Sequence, residues 1–230
     1  MTSTEIRRIL IVAPHCDDEV LGCGGIMAKY ARQGHHVHTV VLTNGHLGAP
    51  ELFPKAGTER VRAEVRKADQ ALGAETVDFL DFPGPRLDSV PIYQIALKLS
   101  ELVRAYQITD VYLPHRGDIH KDHLIAYQAG LVAARPLPGA TVRRVYAYET
   151  LSETEWAAPF GDDAFIPTHF VDISETLADK IKAFQVFETQ RKAFPHPRSP
   201  EVIEHLARLR GSTVGMHAAE AFMIVRTMEA

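Results

Sequence analysis

At 230 residues, 46% hydrophobic and 23% charged, the chain is long enough to bury one full core, and a single α/β domain over 1–230 accounts for it. A formal net charge of −4 offers no electrostatic reason to bind nucleic acid or an anionic membrane. No apolar run approaches the roughly 20 residues that span a bilayer, and the polar stretch Met1 to Arg8 has no signal-peptide core. With its only cysteines, Cys16 and Cys23, in one turn, a cytoplasmic protein with reduced thiols is expected.

Ile9 to Ala13 is a continuous apolar run, the pattern of a strand covered on both faces. Ile26 to Gln33 reads as a helix closed by Gly34, and Val37 to Thr43 as a strand ended by Asn44-Gly45. The apolar spacing over Thr58 to Leu72 predicts an amphipathic helix with Thr58 as N-cap and Gly73 beyond its end. Strand Val77 to Phe82, helix Pro91 to Tyr106 and strand Asp110 to Leu113 follow, then a helix from about Asp122 to Ala134 and strand Arg143 to Glu149. Such alternation implies right-handed crossovers and a mostly parallel sheet with helices on both faces. Beyond Glu149 the pattern loosens, with a strand His169 to Asp172, helices Ser174 to Phe187 and Pro200 to Arg210, and a last strand Phe222 to Arg226. Gly45 to Gly57 and Ala193 to Ser199 are expected to be flexible.

Two segments rich in acids and histidines stand directly after strands. One is His15-Cys16-Asp17-Asp18-Glu19; the other is His115-Arg116-Gly117-Asp118-Ile119-His120-Lys121-Asp122-His123. Adjacent carboxylates repel, and a buried charge needs a partner. Asp17-Asp18-Glu19 alone would suit the positive end of a helix, but the second segment makes a divalent cation the better explanation. In open parallel sheets ligands bind beyond the carboxyl ends of strands, where both segments fall. Zinc takes His nitrogen and carboxylate oxygen from three protein ligands and keeps a position for water. His15, Asp18 and His123 form such a set, and mixed N/O ligation also admits iron or another divalent ion. Asp17 is then free to take a proton from water. His120 would face the oxyanion of a reacting carbonyl, its imidazole oriented or charged by Asp118 or Asp122. His115 reads as a loop histidine, and His217, close to Ala219-Glu220, as a candidate for the substrate cleft.

At these residues the chain resembles the LmbE-like, or PIG-L-like, family of zinc-dependent N-deacetylases. The family's first motif reads His-Pro-Asp-Asp-Glu before a glycine-rich turn; here it stands as His15-Cys16-Asp17-Asp18-Glu19 followed by Val20-Leu21-Gly22-Cys23-Gly24-Gly25. The second resembles Asp118-Ile119-His120-Lys121-Asp122-His123, and weaker echoes fall at Glu64, Phe79 to Pro83, Phe187 to Gln190 and Ala219 to Phe222. The resemblance implies a Rossmann-like fold, metal ligands His15, Asp18 and His123, general base Asp17, and His120 stabilising the tetrahedral intermediate. It implies removal of acetyl from an N-acetylglucosamine-type sugar or glycoconjugate by a homo-oligomer, trimer or hexamer. Three departures stand out: Cys16 replaces the proline, Gly84 stands where many relatives carry a substrate-contacting aspartate, and Val61 where they carry an arginine. Arg60 and Arg62 flank Val61, so they join Asp118 and His217 as candidates for substrate contact.

Other readings explain less. An amidase of the same metal chemistry could act on a non-sugar or thiol-conjugate amide. A cysteine hydrolase pairing Cys16 with His120 leaves Asp17, Asp18 and His123 without a task. A dinucleotide fold built on Gly22-Cys23-Gly24 lacks the third glycine, where Met27 stands, and the acidic residue after the second strand, where Leu42-Thr43-Asn44 stands.

Overall fold

The computed structural model describes residues 5–229; the first four residues of the polar Met1–Arg8 stretch, and Ala230, lie outside them. Seven strands, β1 (Arg8–Ala13), β2 (His36–Asn44), β3 (Thr76–Pro83), β4 (Asp110–Pro114), β5 (Arg144–Tyr148), β6 (His169–Asp172) and β7 (Ala219–Thr227), form one sheet in the order β3-β2-β1-β4-β5-β7-β6. The first five run parallel, and β7 is antiparallel to both β5 and β6. From β1 the chain winds outward through β2 and β3, then returns to add β4 and β5 on the other side. The order therefore reverses between β1 and β4, which is where a crevice opens at the strands' carboxyl ends.

Side chains of a strand point alternately to its two faces, and the apolar run of β1 serves both. Ile9 and Ile11 meet Ile26, Val65 and Phe184 beneath α1 (Asp18–Arg32), α3 (Lys55–Leu72), α6 (Leu177–Gln185) and α7 (Pro200–Ser212). Leu10 and Val12 meet Ile95, Leu99, Ile125 and Ala129 beneath α4 (Ile92–Ala105) and α5 (Lys121–Ala133). Each of these side chains larger than alanine contributes roughly 1.5–3 kcal/mol by leaving water. One short helix, α2 (Gly45–Gly48), follows β2. Among the described residues no helix is long and apolar enough to cross a membrane.

Several boundaries differ from the sequence reading. Helix α1 starts at Asp18, eight residues before Ile26, so the glycines lie inside it. A Cβ on Gly22 would sit 2.2 Å from the Tyr148 ring and one on Gly25 2.7 Å from Ile173, so these glycines permit close packing rather than a turn. Glu220 accepts the amides of Gly25 and Ile26 within α1, each at 2.8 Å, and Lys180 Nζ donates to Leu21 O at 2.7 Å and to Glu220 at 2.6 Å. Helix α3 begins at Lys55 behind Pro54, not at an N-cap Thr58. Its fixed φ suits proline to that entry, and Thr58 lines a cleft instead. Segment 45–57 is largely ordered by α2, by α3 and by Gly48, whose backbone lies against Gly84 with no room for a Cβ. Segment 193–199 is tied down as well: Arg198 Nε donates to Ser152 Oγ at 2.7 Å, and Ser199 caps α7 by accepting from Val202 N at 3.2 Å.

Candidate metal centre and active-site cleft

The loops leaving β1 and β4 lie side by side and carry the two acidic-histidine segments. His15 comes from the first loop, Asp18 from the start of α1, and His123 from the first turn of α5. Their ligand atoms all lie within 4.8 Å of one another. Asp18 Oδ2 is 3.5 Å from His15 Nδ1 and 3.4 Å from His123 Nε2. The opposite ring nitrogens meet carboxylates, His15 Nε2 with Asp122 at 3.2 Å and His123 Nδ1 with Asp118 at 2.7 Å. A carboxylate can only accept, so each imidazole donates there, and its other nitrogen faces Asp18, where it can carry a proton or offer a lone pair to a cation. His15, His120 and Asp122 also cluster, but Asp122 already accepts from Leu87 N at 3.0 Å and faces His15, and His120 Nδ1 accepts from Asp122 N at 3.1 Å. By contrast, Asp18 Oδ1 and His123 Nε2 are buried without a hydrogen-bond partner. Two unpartnered groups of this chemistry, beside His15, fit a divalent cation.

Electrostatics point the same way. Burial disfavours imidazolium, yet Asp122 and Asp18 raise His15 to about 9, and Asp18 with Asp118 raises His123 to about 10. Against the same desolvation, the two histidines hold Asp18 well below the usual carboxylate range. The pocket draws in positive charge, whether a proton or a metal ion.

Asp17 precedes α1 with φ 100°, a left-handed conformation costing a non-glycine residue about 1–3 kcal/mol. Buried Glu19 supports that turn by accepting from Asp17 N at 3.1 Å. Burial pushes the Asp17 carboxyl up to about 7, with Arg198 opposing the rise and Asp18 adding to it. A carboxylate poised near neutrality suits proton transfer. Arg198 Nη1 lies 3.2 Å from Asp17 Oδ2, and its Nη2 lies 3.6 Å from Glu153. Sequence reasoning missed Arg198, because nothing in its local pattern marks it. His120 lines the cleft, its ring edge-on to His15 at 4.5 Å. Neither Asp118 nor Asp122 charges it, contrary to expectation: both carboxylates serve the other histidines. Burial, and then the charge on His15, push His120 down to about 4. Since Nδ1 accepts from Asp122 N, the neutral ring carries its proton on Nε2.

A cleft of about 370 Å³ opens before these groups. None of the four expected substrate contacts lines it. Arg60 pairs with Glu188 and Glu64, while Arg62 pairs with Asp81 and stacks on Phe79 at 4.7 Å. Asp118 lies behind His123, its second oxygen accepting the Thr154 hydroxyl at 2.6 Å. His217 lines a separate depression with Lys29 and Arg32. His115 is buried on its loop, its Nε2 2.8 Å from Asp163 O on a loop 48 residues further on. Cys16 does line the cleft, but burial, with Glu19 and Asp17 adding, pushes its thiol up, away from the nucleophilic thiolate. The glycines of α1 are packed against Tyr148 and Ile173, leaving no open phosphate loop.

Fold and site together define an α/β protein with a His–Asp–His cluster that could hold a cation at the switch point of its sheet. The family described as PIG-L, GlcNAc-PI de-N-acetylase, matches residues 10–134, and the chain belongs to that family. It is 30% identical over 174 residues to an uncharacterized deacetylase of Escherichia coli (strain K12), covering 74% of this chain and 83% of that protein. It is 30% identical over 240 residues to the 1D-myo-inositol 2-acetamido-2-deoxy-alpha-D-glucopyranoside deacetylase of Actinosynnema mirum, covering 83% of each. A conserved protein of Thermus thermophilus superposes with a TM-score of 0.77 at 26% identity over 98% of this chain and 97% of that one. The 4-carboxy-2-hydroxymuconate hydratase of Pseudomonas putida KT2440 reaches the same TM-score, 0.77, at 23% identity over 98% and 99% of the two chains. One fold thus carries more than one chemistry, and the reaction must be argued from the site.

Proposed function

We propose that this protein is a zinc-dependent N-deacetylase that removes acetyl from an N-acetylglucosamine-type sugar or glycoconjugate. The observation that carries the reading is the cluster of His15, Asp18 and His123, whose ligand atoms lie within 4.8 Å of one another, with buried His123 Nε2 lacking a hydrogen-bond partner and Asp17 adjacent. His15, Asp18 and His123 would hold the ion, which when bound polarises a carbonyl and lowers the pKa of water to about 7. Asp17 takes the proton from the attacking water and delivers it to the departing amine. The His120 Nε2–H donates to the oxygen on which charge develops, as a neutral imidazole can. Arg198 holds the Asp17 carboxylate in place. Relatives that deacetylate amino-sugar conjugates support the substrate class. We further infer one domain over residues 1–230, a trimer or hexamer, and a cytoplasmic location.

The test is metal analysis with amine release from N-acetylglucosamine conjugates. His15→Ala, Asp18→Ala and His123→Ala should each lose the metal, and full occupancy in all three would refute the ligand set. Asp17→Asn should keep the metal and lose turnover by about 10²-fold or more, the usual scale of a general base.

A further inference from the structure

The cleft is lined by two unlike groups. One is polar, with His15, Asp17, His120, Glu153 and Arg198; the other is an apolar wall of Leu52, Phe53, Pro54, Val61 and Pro85. Leu52 and Phe53 are 67% and 43% exposed, although their turn is held by bonds from both amides to Ala49 O at 3.0 and 2.9 Å. Of the polar groups beside this wall, the Thr58 hydroxyl has no partner among the described residues, but others are engaged. The Thr43 hydroxyl donates to Pro14 O at 2.8 Å and the Thr189 hydroxyl to Glu64 at 2.6 Å. The guanidinium groups of Arg60 and Arg62 are paired away from the cleft. Gly84 has no space for a polar side chain, since a Cβ there would stand 2.7 Å from Thr43. Sugar hydroxyls pressed against this wall would lose water and find few partners, a net cost. An apolar group would gain by covering it.

We propose that the substrate is a conjugate whose acetamide lies at the His15–Asp18–His123 cluster and whose apolar aglycone, aryl or alkyl, lies on the Leu52–Phe53–Pro54 wall. This rests on the deacetylase reading and names its substrate class. Free N-acetylglucosamine, lacking that group, is then a poor substrate.

The experiment measures amine release by the zinc-loaded protein from the methyl, phenyl and octyl glycosides of N-acetylglucosamine. Phenyl and octyl should exceed methyl in kcat/KM by about 10-fold or more, the scale on which an apolar pocket discriminates. Leu52→Ser with Phe53→Ser should bring the ratio toward one; Leu52→Ser alone, at a highly exposed position, should move it in the same direction without disturbing the fold. Equal rates on all three glycosides would overturn the aglycone site and leave the deacetylase standing. No amine from any of them, with zinc bound, would overturn the deacetylase and the aglycone site together. An unchanged ratio in variants whose oligomeric mass has fallen would make the wall a contact between copies of this chain, and that too overturns the proposal.

Discussion

Replacing Asp118 with alanine separates support of the metal from contact with substrate. Its carboxylate is buried behind His123, with one oxygen 2.7 Å from Nδ1 and the other taking the Thr154 hydroxyl. Without it nothing holds the ring proton on Nδ1, and the tautomer protonated on Nε2 has no lone pair there to offer a cation. A hydrogen bond to a charged group is worth about 1.5–3 kcal/mol, which agrees with the roughly 10- to 100-fold loss of metal affinity seen when such supporting carboxylates are removed. Competition for zinc against a chromophoric chelator should therefore show a Kd weakened by one to two decades. At saturating zinc, KM should be little altered, because the residue does not line the cleft. Asp118→Asn keeps an acceptor but not the charge and should fall between. Unchanged zinc affinity with a raised KM would refute this reasoning and return Asp118 to the substrate.

His120→Ala should lower kcat by about 10²–10³, the typical loss of one oxyanion donor, with metal retained. Because His120 is held neutral, the alkaline side of the pH–rate profile should be the same in both proteins; a limb lost only in the variant would reveal an imidazolium. Cys16→Ala should keep its metal and most of its activity, and complete loss of turnover with zinc bound would make the thiol the nucleophile. Burial raises Asp69, on the buried face of α3, from 3.8 to about 7, so the native state holds a proton that the unfolded chain has released across that window. Stability should then fall as pH rises from about 4 to about 7, by at most about 1.4 kcal/mol per pH unit for one proton. Asp69→Asn should flatten that slope in thermal melts, and an unaltered slope would assign it to other groups.

Strands were the most legible part of the chain, for a physical reason. β1 is buried on both faces and must be apolar throughout, so Ile9 to Ala13 declares itself without reference to its neighbours. That His15, Asp18 and His123 come together was legible because their spacing reflects two loop-to-helix junctions, each local in sequence. Helix α1 was not, since Gly22 and Gly25 answer to Tyr148 and Ile173, more than a hundred residues away. Substrate contacts were harder still. Arg60 and Arg62 flank Val61 in sequence, but their partners Glu188 and Asp81 decide where they point. Arg198 reaches Asp17 from a loop whose Pro- and His-containing sequence suggested mobility. The antiparallel addition of β7 between β5 and β6 likewise depends on pairing that no local pattern records.

Glu220 also bears on how the site is completed as the chain is made. Its carboxylate serves two amides of the helix that begins with Asp18, across sequence separations of 195 and 194 residues. The family match ends at residue 134, so the segment carrying every proposed ligand stops well short of a group that its first helix requires. A chain ending before Glu220 loses both of these bonds and takes the carboxylate partner from the buried Lys180 ammonium. During synthesis from the N-terminus, the motif that emerges first is therefore among the last parts to be secured. Glu220 thus ties the strand β7, late in the sequence, to the helix that carries Asp18.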